Sequence, residues 1–212
     1  MNKKIIFIAL YILVAVALPL AGNIDLLFDW KIIFIMLSIG ILLATQPRVD
    51  LAEAKEKQKS DHNSAFVILI CSLTGIMAPI VEWAYFSNRK SDVILSALGG
   101  LLLVAGIVVR AKAIQTLGKY FTTVVQTTTQ HQLVKTGMYA VIRHPSYLGT
   151  FISMLGVGIL LQAWIGAVIS VVAILIAYHI RITAEERELV RSFGEAYVAY
   201  QQNTKKMIPL IW

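Results

Sequence analysis

Two polar stretches in the second half of this 212-residue chain hold most of the side chains that could do chemistry. The first carries Gln126, His131, Gln132, Leu133, Val134 and Tyr139, and then runs through Arg143-His144-Pro145-Ser146-Tyr147-Leu148-Gly149. The second opens with Arg181-Ile-Thr-Ala-Glu185-Glu186-Arg187 and continues to Phe193-Gly194, Tyr197 and Tyr200. Arg181 and Glu185 stand four apart, so on a helix they share one face and can point at one site. Pro145 suits a helix first turn, where its missing N–H would have no intrahelical partner anyway. His144 then sits at a helix start, where free backbone N–H groups can meet an anion. Opposite charges, two imidazoles and several tyrosines at one place suit an organic ligand that carries both a carboxylate and an amine. Other chemistry is disfavoured. Two histidines without a carboxylate at ligand spacing make a poor metal site. No serine or cysteine has a triad setting, and no glycine-rich phosphate loop follows a strand. A single cysteine, Cys71, excludes an internal disulfide or a multi-cysteine metal centre and reads as a packing residue.

The elements that must position these residues are membrane helices. Hydrophobic residues make up 58% of the chain and charged ones 15%, with a formal net charge of +7. Ordinary soluble domains are roughly 45–50% apolar and about 25% charged. That imbalance excludes a typical soluble enzyme, a disordered chain and a nucleic-acid-binding domain. The basic excess fits loops facing anionic lipid. About 20 apolar residues span a bilayer. Apolar runs lie at Ile5–Ala21, Leu26–Thr45, Ala65–Phe86, Val93–Val109, Leu148–Leu161 and Trp164–Ile180. The first run, behind Lys3 and Lys4, also fits a cleaved leader, but the runs that follow favour a retained span. The expected fold is an all-α, polytopic integral membrane bundle of about six apolar segments. The last two, parted by Gln162 and Ala163, would form a tight hairpin, with a cytoplasmic C-terminal helix after them. Residues 1–116 read as spanning helices and 117–212 as the catalytic, ligand-binding region.

Charge sets the orientation. With the N-terminus in the cytoplasm, that side receives Lys3, Lys4, Arg48, Lys55, Lys57, Lys59, Arg110, Lys112, Lys119, Lys135, Arg143, Arg181, Arg187, Arg191, Lys205 and Lys206. The opposite side receives Lys31, Arg89 and Lys90, a strong positive-inside bias. Both termini are expected in the cytoplasm, and both polar stretches face it. Small residues at Gly149, Ser153 and Gly156, and at Gly166, Ser170, Ala173 and Ala177, would let helices approach closely. The loop Gln46–Asn63, with Glu53 and Lys57 four apart, reads as a solvated connector. Glu82, beside Trp83, Tyr85 and Phe86, reads as a carboxylate snorkelling to the interface rather than a functional acid inside a span.

The order His131-x-Leu133-Val134-x-x-Gly137-x-Tyr139, Arg143-His144-Pro145-Ser146-Tyr147-x-Gly149, an apolar hairpin, Arg181-x-x-x-Glu185-Glu186 and Phe193-Gly194-x-x-Tyr197-x-x-Tyr200 resembles the isoprenylcysteine carboxyl methyltransferase family over residues 117 to 210. The earlier spans match only in hydrophobicity and number. The resemblance implies a membrane enzyme that uses S-adenosylmethionine. It implies that Gln126, His131, Gln132, Leu133, Val134, Tyr139, His144, Pro145, Ser146, Tyr147 and Glu185 surround that cofactor, with Glu185 taking its ammonium group. Aligning Gln126 requires a gap. Arg181 would face the acceptor carboxylate. The implied partners are a lipidic small-molecule acceptor and membrane lipid, with no metal and no nucleic acid. A phospholipid amine or a small thiol as acceptor is an open alternative, although Arg181 would not help an amine. An NADPH-dependent sterol-type membrane reductase is an alternative of another class, and it would call for more basic residues around the cofactor phosphates.

Overall fold

The computed structural model describes residues 3–45, 64–88, 92–121 and 133–209. Helices dominate these residues, and the one β-type pairing among them is a parallel bridge between Ile142 and Lys205. In chain order the α-helices are α1 Lys3–Ile12, α2 Trp30–Ala44, α3 Ser64–Val81, α4 Val93–Leu117, α5 Pro145–Leu161, α6 Trp164–Phe193 and α7 Glu195–Asn203. Three stretches are long and apolar enough to cross a membrane: Ser64–Phe86, Val93–Leu117 and Trp164–Phe193. Trp30–Ala44 and Pro145–Leu161 are shorter apolar helices. The outward faces of α4 and α6 carry bare aliphatic side chains, such as Leu101 at 68% and Val168 at 64% exposure, as suits a lipid solvent rather than water.

Several sequence expectations change in detail. The first apolar run is helical only to Ala17, its last five residues being a π-helical stretch, and then turns. The second run begins as a 3-10 segment, and its α-helix starts only at Trp30, where the Asp29 carboxylate accepts from Lys31 N at 2.8 Å. The fourth run does not stop at Val109. Its helix continues to Leu117, so Arg110 is a buried helical residue rather than the start of a polar loop. Glu82 does not snorkel. Its carboxylate accepts from Gly166 N at 2.5 Å and caps the first turn of α6, satisfying a donor that has no intrahelical partner. The connector Gln46–Asn63 lies outside the described residues.

The small-residue stripes act between helices distant in sequence. α5 packs along α4 and α6 packs along α3, each more closely than α5 and α6 pack on one another. At Gly149 a Cβ would stand 2.6 Å from both Arg110 N and Gly106 O, so α4 and α5 meet backbone to backbone. Ser153 Oγ donates to Leu103 O across the same seam at 3.2 Å. On the other seam, Ser170 Oγ donates to Gly75 O at 2.5 Å. Between α5 and α6, Gln162 adopts a left-handed conformation, and its side chain bonds Asp92 O and Ser96 Oγ at the head of α4. Gly149→Leu is therefore expected to wedge α4 from α5. The overpacking should destabilise the fold by about 1–3 kcal/mol or more, seen as a lower unfolding temperature in detergent, whereas the same change at the open Gly40 should be nearly silent.

Candidate active site

The two polar stretches converge at one end of the bundle. His144 is the residue before α5, and Pro145 opens that helix, as the motif predicts. The segment leading in, Val141 to His144, is fixed by the C-terminal strand-like segment. Lys205 N donates to Val141 O at 3.1 Å, Arg143 N to Lys205 O at 2.8 Å and His144 N to Lys206 O at 2.9 Å. From the other side, α6 runs 13 residues past the expected end of its span and carries Arg181, Glu185 and Glu186 up beside the start of α5. Gly194, at φ +55°, breaks α6 and turns the chain into α7. That conformation is open to glycine and strained for other residues. It lets Tyr197 and Tyr200 fold back as a wall.

Tyr147 stands at the centre. Its hydroxyl donates to Glu185 Oε2 at 2.7 Å and accepts from Arg181 Nε at 3.3 Å. Arg181 is buried, and its Nη1 also donates to Ser64 Oγ at the start of α3, at 2.9 Å. Glu185 is half-buried, and its Oε1 has no donor among the described residues. The Tyr147 ring stacks on His144, with centroids 5.6 Å apart, and leans on Tyr178 at 4.7 Å. Tyr139 is buried, gives its hydroxyl to Ala113 O at 3.3 Å, and receives the Tyr200 hydroxyl on its own carbonyl at 2.6 Å.

A second set of residues escaped the sequence reading. Glu186 Oε1 accepts from Arg143 Nε at 2.7 Å and lies 3.2 Å from His144 Nε2, while Glu186 Oε2 accepts from Gln201 Nε2 at 3.1 Å. Arg143 Nη1 also donates to the Thr204 carbonyl and to Gln201 O. The anion that His144 meets is thus the Glu186 side chain. The signal was present in the spacing: Tyr178, Ile182 and Glu186 recur every four residues, so Glu186 continues a buried stripe of α6.

Of the sequence-predicted residues, Tyr139, His144, Pro145, Ser146, Tyr147, Arg181 and Glu185 lie in this one cluster. Leu133 and Val134 are half-buried at the head of the segment that leads to Tyr139. Gln126, His131 and Gln132 lie outside the described residues. Burial pushes the phenols of Tyr139 and Tyr197 well above the usual tyrosine range, and that of Tyr200 up to about 12. All three stay neutral at physiological pH, and Tyr139 and Tyr200 donate hydrogen bonds. The Tyr197 hydroxyl, although buried, has no hydrogen-bond partner among the described residues, and it lies within electrostatic reach of Glu186 and Glu185. No group of three or more potential metal ligands occurs among the described residues.

The model of the isoprenylcysteine carboxyl methyltransferase family matches residues 98–191, which include α5 and most of α6. The Arabidopsis thaliana protein-S-isoprenylcysteine O-methyltransferase B is 31% identical over 144 residues, 67% of this chain and 73% of that protein. The chain belongs to the isoprenylcysteine carboxyl methyltransferase family. The Saccharomyces cerevisiae protein-S-isoprenylcysteine O-methyltransferase is 34% identical over 149 residues, 69% of this chain but 62% of that protein. The match to the Mus musculus protein-S-isoprenylcysteine O-methyltransferase, 31% identical over 151 residues, spans about half of that protein's length, 53%. The solved structure of a eukaryotic intramembrane Ras methyltransferase superposes with a TM-score of 0.67 at 26% identity, over 98% of this chain and 75% of that one. The chain therefore has the family's helical membrane fold, and Tyr139, His144, Tyr147, Arg181, Glu185 and Glu186 fall within the residues that the family model matches.

Proposed function

We propose that this protein is an S-adenosylmethionine-dependent membrane methyltransferase whose acceptor is the carboxylate of an isoprenylcysteine-like lipid. In this reading six apolar segments lie in the bilayer, the last two as a hairpin. Both termini and α7 face the cytoplasm, and residues 117–212 form the catalytic region. The observation that carries it is the relay Arg181–Tyr147–Glu185: a cation and an anion held on either side of one hydroxyl, at the mouth of a membrane bundle.

The residues present fit the donor. Among the described residues, the half-buried Glu185 carboxylate has an oxygen with no donor and the buried Tyr197 hydroxyl has no partner, which a ligand with an ammonium and polar edges would satisfy. Glu185 would hold the ammonium. Tyr139, His144, Pro145, Ser146 and Tyr147 would surround the remainder, and the family resemblance adds Gln126, His131, Gln132, Leu133 and Val134 to the same role. When bound, S-adenosylmethionine would supply an electrophilic methyl group on a sulfonium, open to in-line attack by an already ionised acceptor carboxylate, with the neutral thioether as the leaving group and no general base required. The protein's share is then alignment and exclusion of water, and positioning alone can supply about 7–11 kcal/mol of the barrier. Arg181 would grip the acceptor carboxylate through parallel N–H groups, which a lysine cannot copy. The acceptor tail would reach the site from lipid and the donor from the cytoplasm.

Arg181→Lys is expected to leave donor affinity nearly unchanged. It should slow transfer to a carboxylate acceptor on the order of 10- to 100-fold, the size of one charged hydrogen-bond pair. Isothermal titration alongside a turnover assay separates the two effects. The whole reading is tested by labelled-methyl transfer from S-adenosylmethionine to prenylcysteine, phospholipid and small-thiol panels. Selective labelling of the prenylcysteine carboxylate is expected. Labelling confined to amines or thiols would overturn the acceptor assignment, and NADPH binding with no methyl transfer would point to a reductase.

A further inference from the structure

Arg110 lies in the second half of α4 and is 8% exposed. Its Nη1 donates to Ser146 O and to Thr150 Oγ1, each at 3.1 Å. Both acceptors are neutral, and no carboxylate lies within 4 Å of Arg110 among the described residues. A guanidinium has five N–H donors, so two bonds from one nitrogen leave the others available to a ligand. An ion buried without a counter-charge is costly. The setting adds to that cost, because Ser146 belongs to the first turn of α5 and a helix start carries partial positive charge. A tie between two helices could be made by any neutral amide. A cation here calls for an anion.

The surroundings say which anion. The phenols of Tyr178, Tyr147 and Tyr139 lie within electrostatic reach of Arg110. Tyr139 and Tyr147 also lie within reach of Glu185. Arg110 and Glu185, with opposite charges, thus both lie within electrostatic reach of the same two phenols. We propose that Arg110 is a carboxylate-binding residue of the pocket, receiving the negative end of a ligand whose positive end, on the methyltransferase reading, meets Glu185. That carboxylate belongs either to the amino-acid part of the donor or to the acceptor. Neither charge pattern nor family resemblance assigned Arg110 to the site, since it precedes the motif and sits in an apolar helix.

Full-length wild type, Arg110→Gln and Arg110→Lys, purified in detergent, would be titrated with S-adenosylmethionine and with its decarboxylated form, which keeps the ammonium. They would also be assayed for KM toward an N-acetylated prenylcysteine. If the donor supplies the carboxylate, wild type prefers the intact donor on the order of 10- to 100-fold, and Arg110→Gln loses that preference. If the acceptor supplies it, donor preference is unaltered and the acceptor KM rises about tenfold or more in Arg110→Gln, with Arg110→Lys in between. Arg110→Gln with neither quantity changed would overturn the proposal. If Arg110→Gln does not fold, equal wild-type affinity for the two donors together with an unchanged KM in Arg110→Lys overturns it instead. Failure of wild type to bind S-adenosylmethionine at all refutes the methyltransferase reading, a different result from donor binding indifferent to Arg110.

Discussion

Glu185→Ala should abolish binding of S-adenosylmethionine while leaving the protein folded. Glu185 is half-buried, its bond to Tyr147 is a single hydroxyl donation, and its Oε1 engages no described residue. Little of the fold depends on it. A ligand ammonium taken into the pocket would, in contrast, lose its counter-charge. Truncating one partner of a buried, hydrogen-bonded charge pair typically costs 2–5 kcal/mol or more, so affinity should fall by roughly 30-fold to several thousandfold. Titration calorimetry reads the affinity, and the unfolding temperature of the unliganded variant should stay near wild type. Glu185→Gln should bind weakly, since it can still accept a hydrogen bond but carries no charge. Unchanged affinity in Glu185→Ala would remove the residue from the site.

Its neighbour Glu186 is expected to behave in the opposite way. Its carboxylate joins Arg143, His144 and Gln201, and Arg143 in turn holds the Thr204 carbonyl. These bonds fasten the start of α5, the extension of α6 and the C-terminal segment to one another. Glu186→Ala leaves Arg143 buried without its counter-charge. Breaking such a pair from one side costs about 3–5 kcal/mol, a large share of the 5–15 kcal/mol that holds a typical protein together. The expected result is a sharply lower unfolding temperature and easier proteolysis after Gly194, with donor binding lost as a consequence. Glu186→Gln, which keeps the shape, should fall between wild type and alanine. A Glu186→Ala variant as stable as wild type would contradict this role. On the proposed function two adjacent glutamates would divide into a ligand-facing group and a structural clamp, because successive helical positions turn about 100° apart.

The sequence made the membrane class and the meeting of the two polar stretches readable, because hydropathy and motif order depend on local composition. Pro145 as the first residue of α5 and Arg181 and Glu185 at one mouth followed from helical spacing. What it left unread depends on partners far along the chain. Nothing local tells that the Glu82 carboxylate caps α6, or that the small stripe of α5 faces α4 rather than α6. Arg110 was read as loop because a hydropathy run ends at the first charge, whereas the helix continues wherever that charge can be held. Glu186 is not legible as a clamp in the sequence, because its partners Arg143 and His144 lie more than 40 residues away.

On the proposed function the start of α5 and the extension of α6 form a pocket for a methyl donor. Calorimetric titration of the purified protein with S-adenosylmethionine, set against NADPH under the same conditions, decides whether they do. Saturable one-site binding of S-adenosylmethionine with no heat from NADPH is the predicted result. Saturable NADPH binding and none of the methyl donor would contradict it.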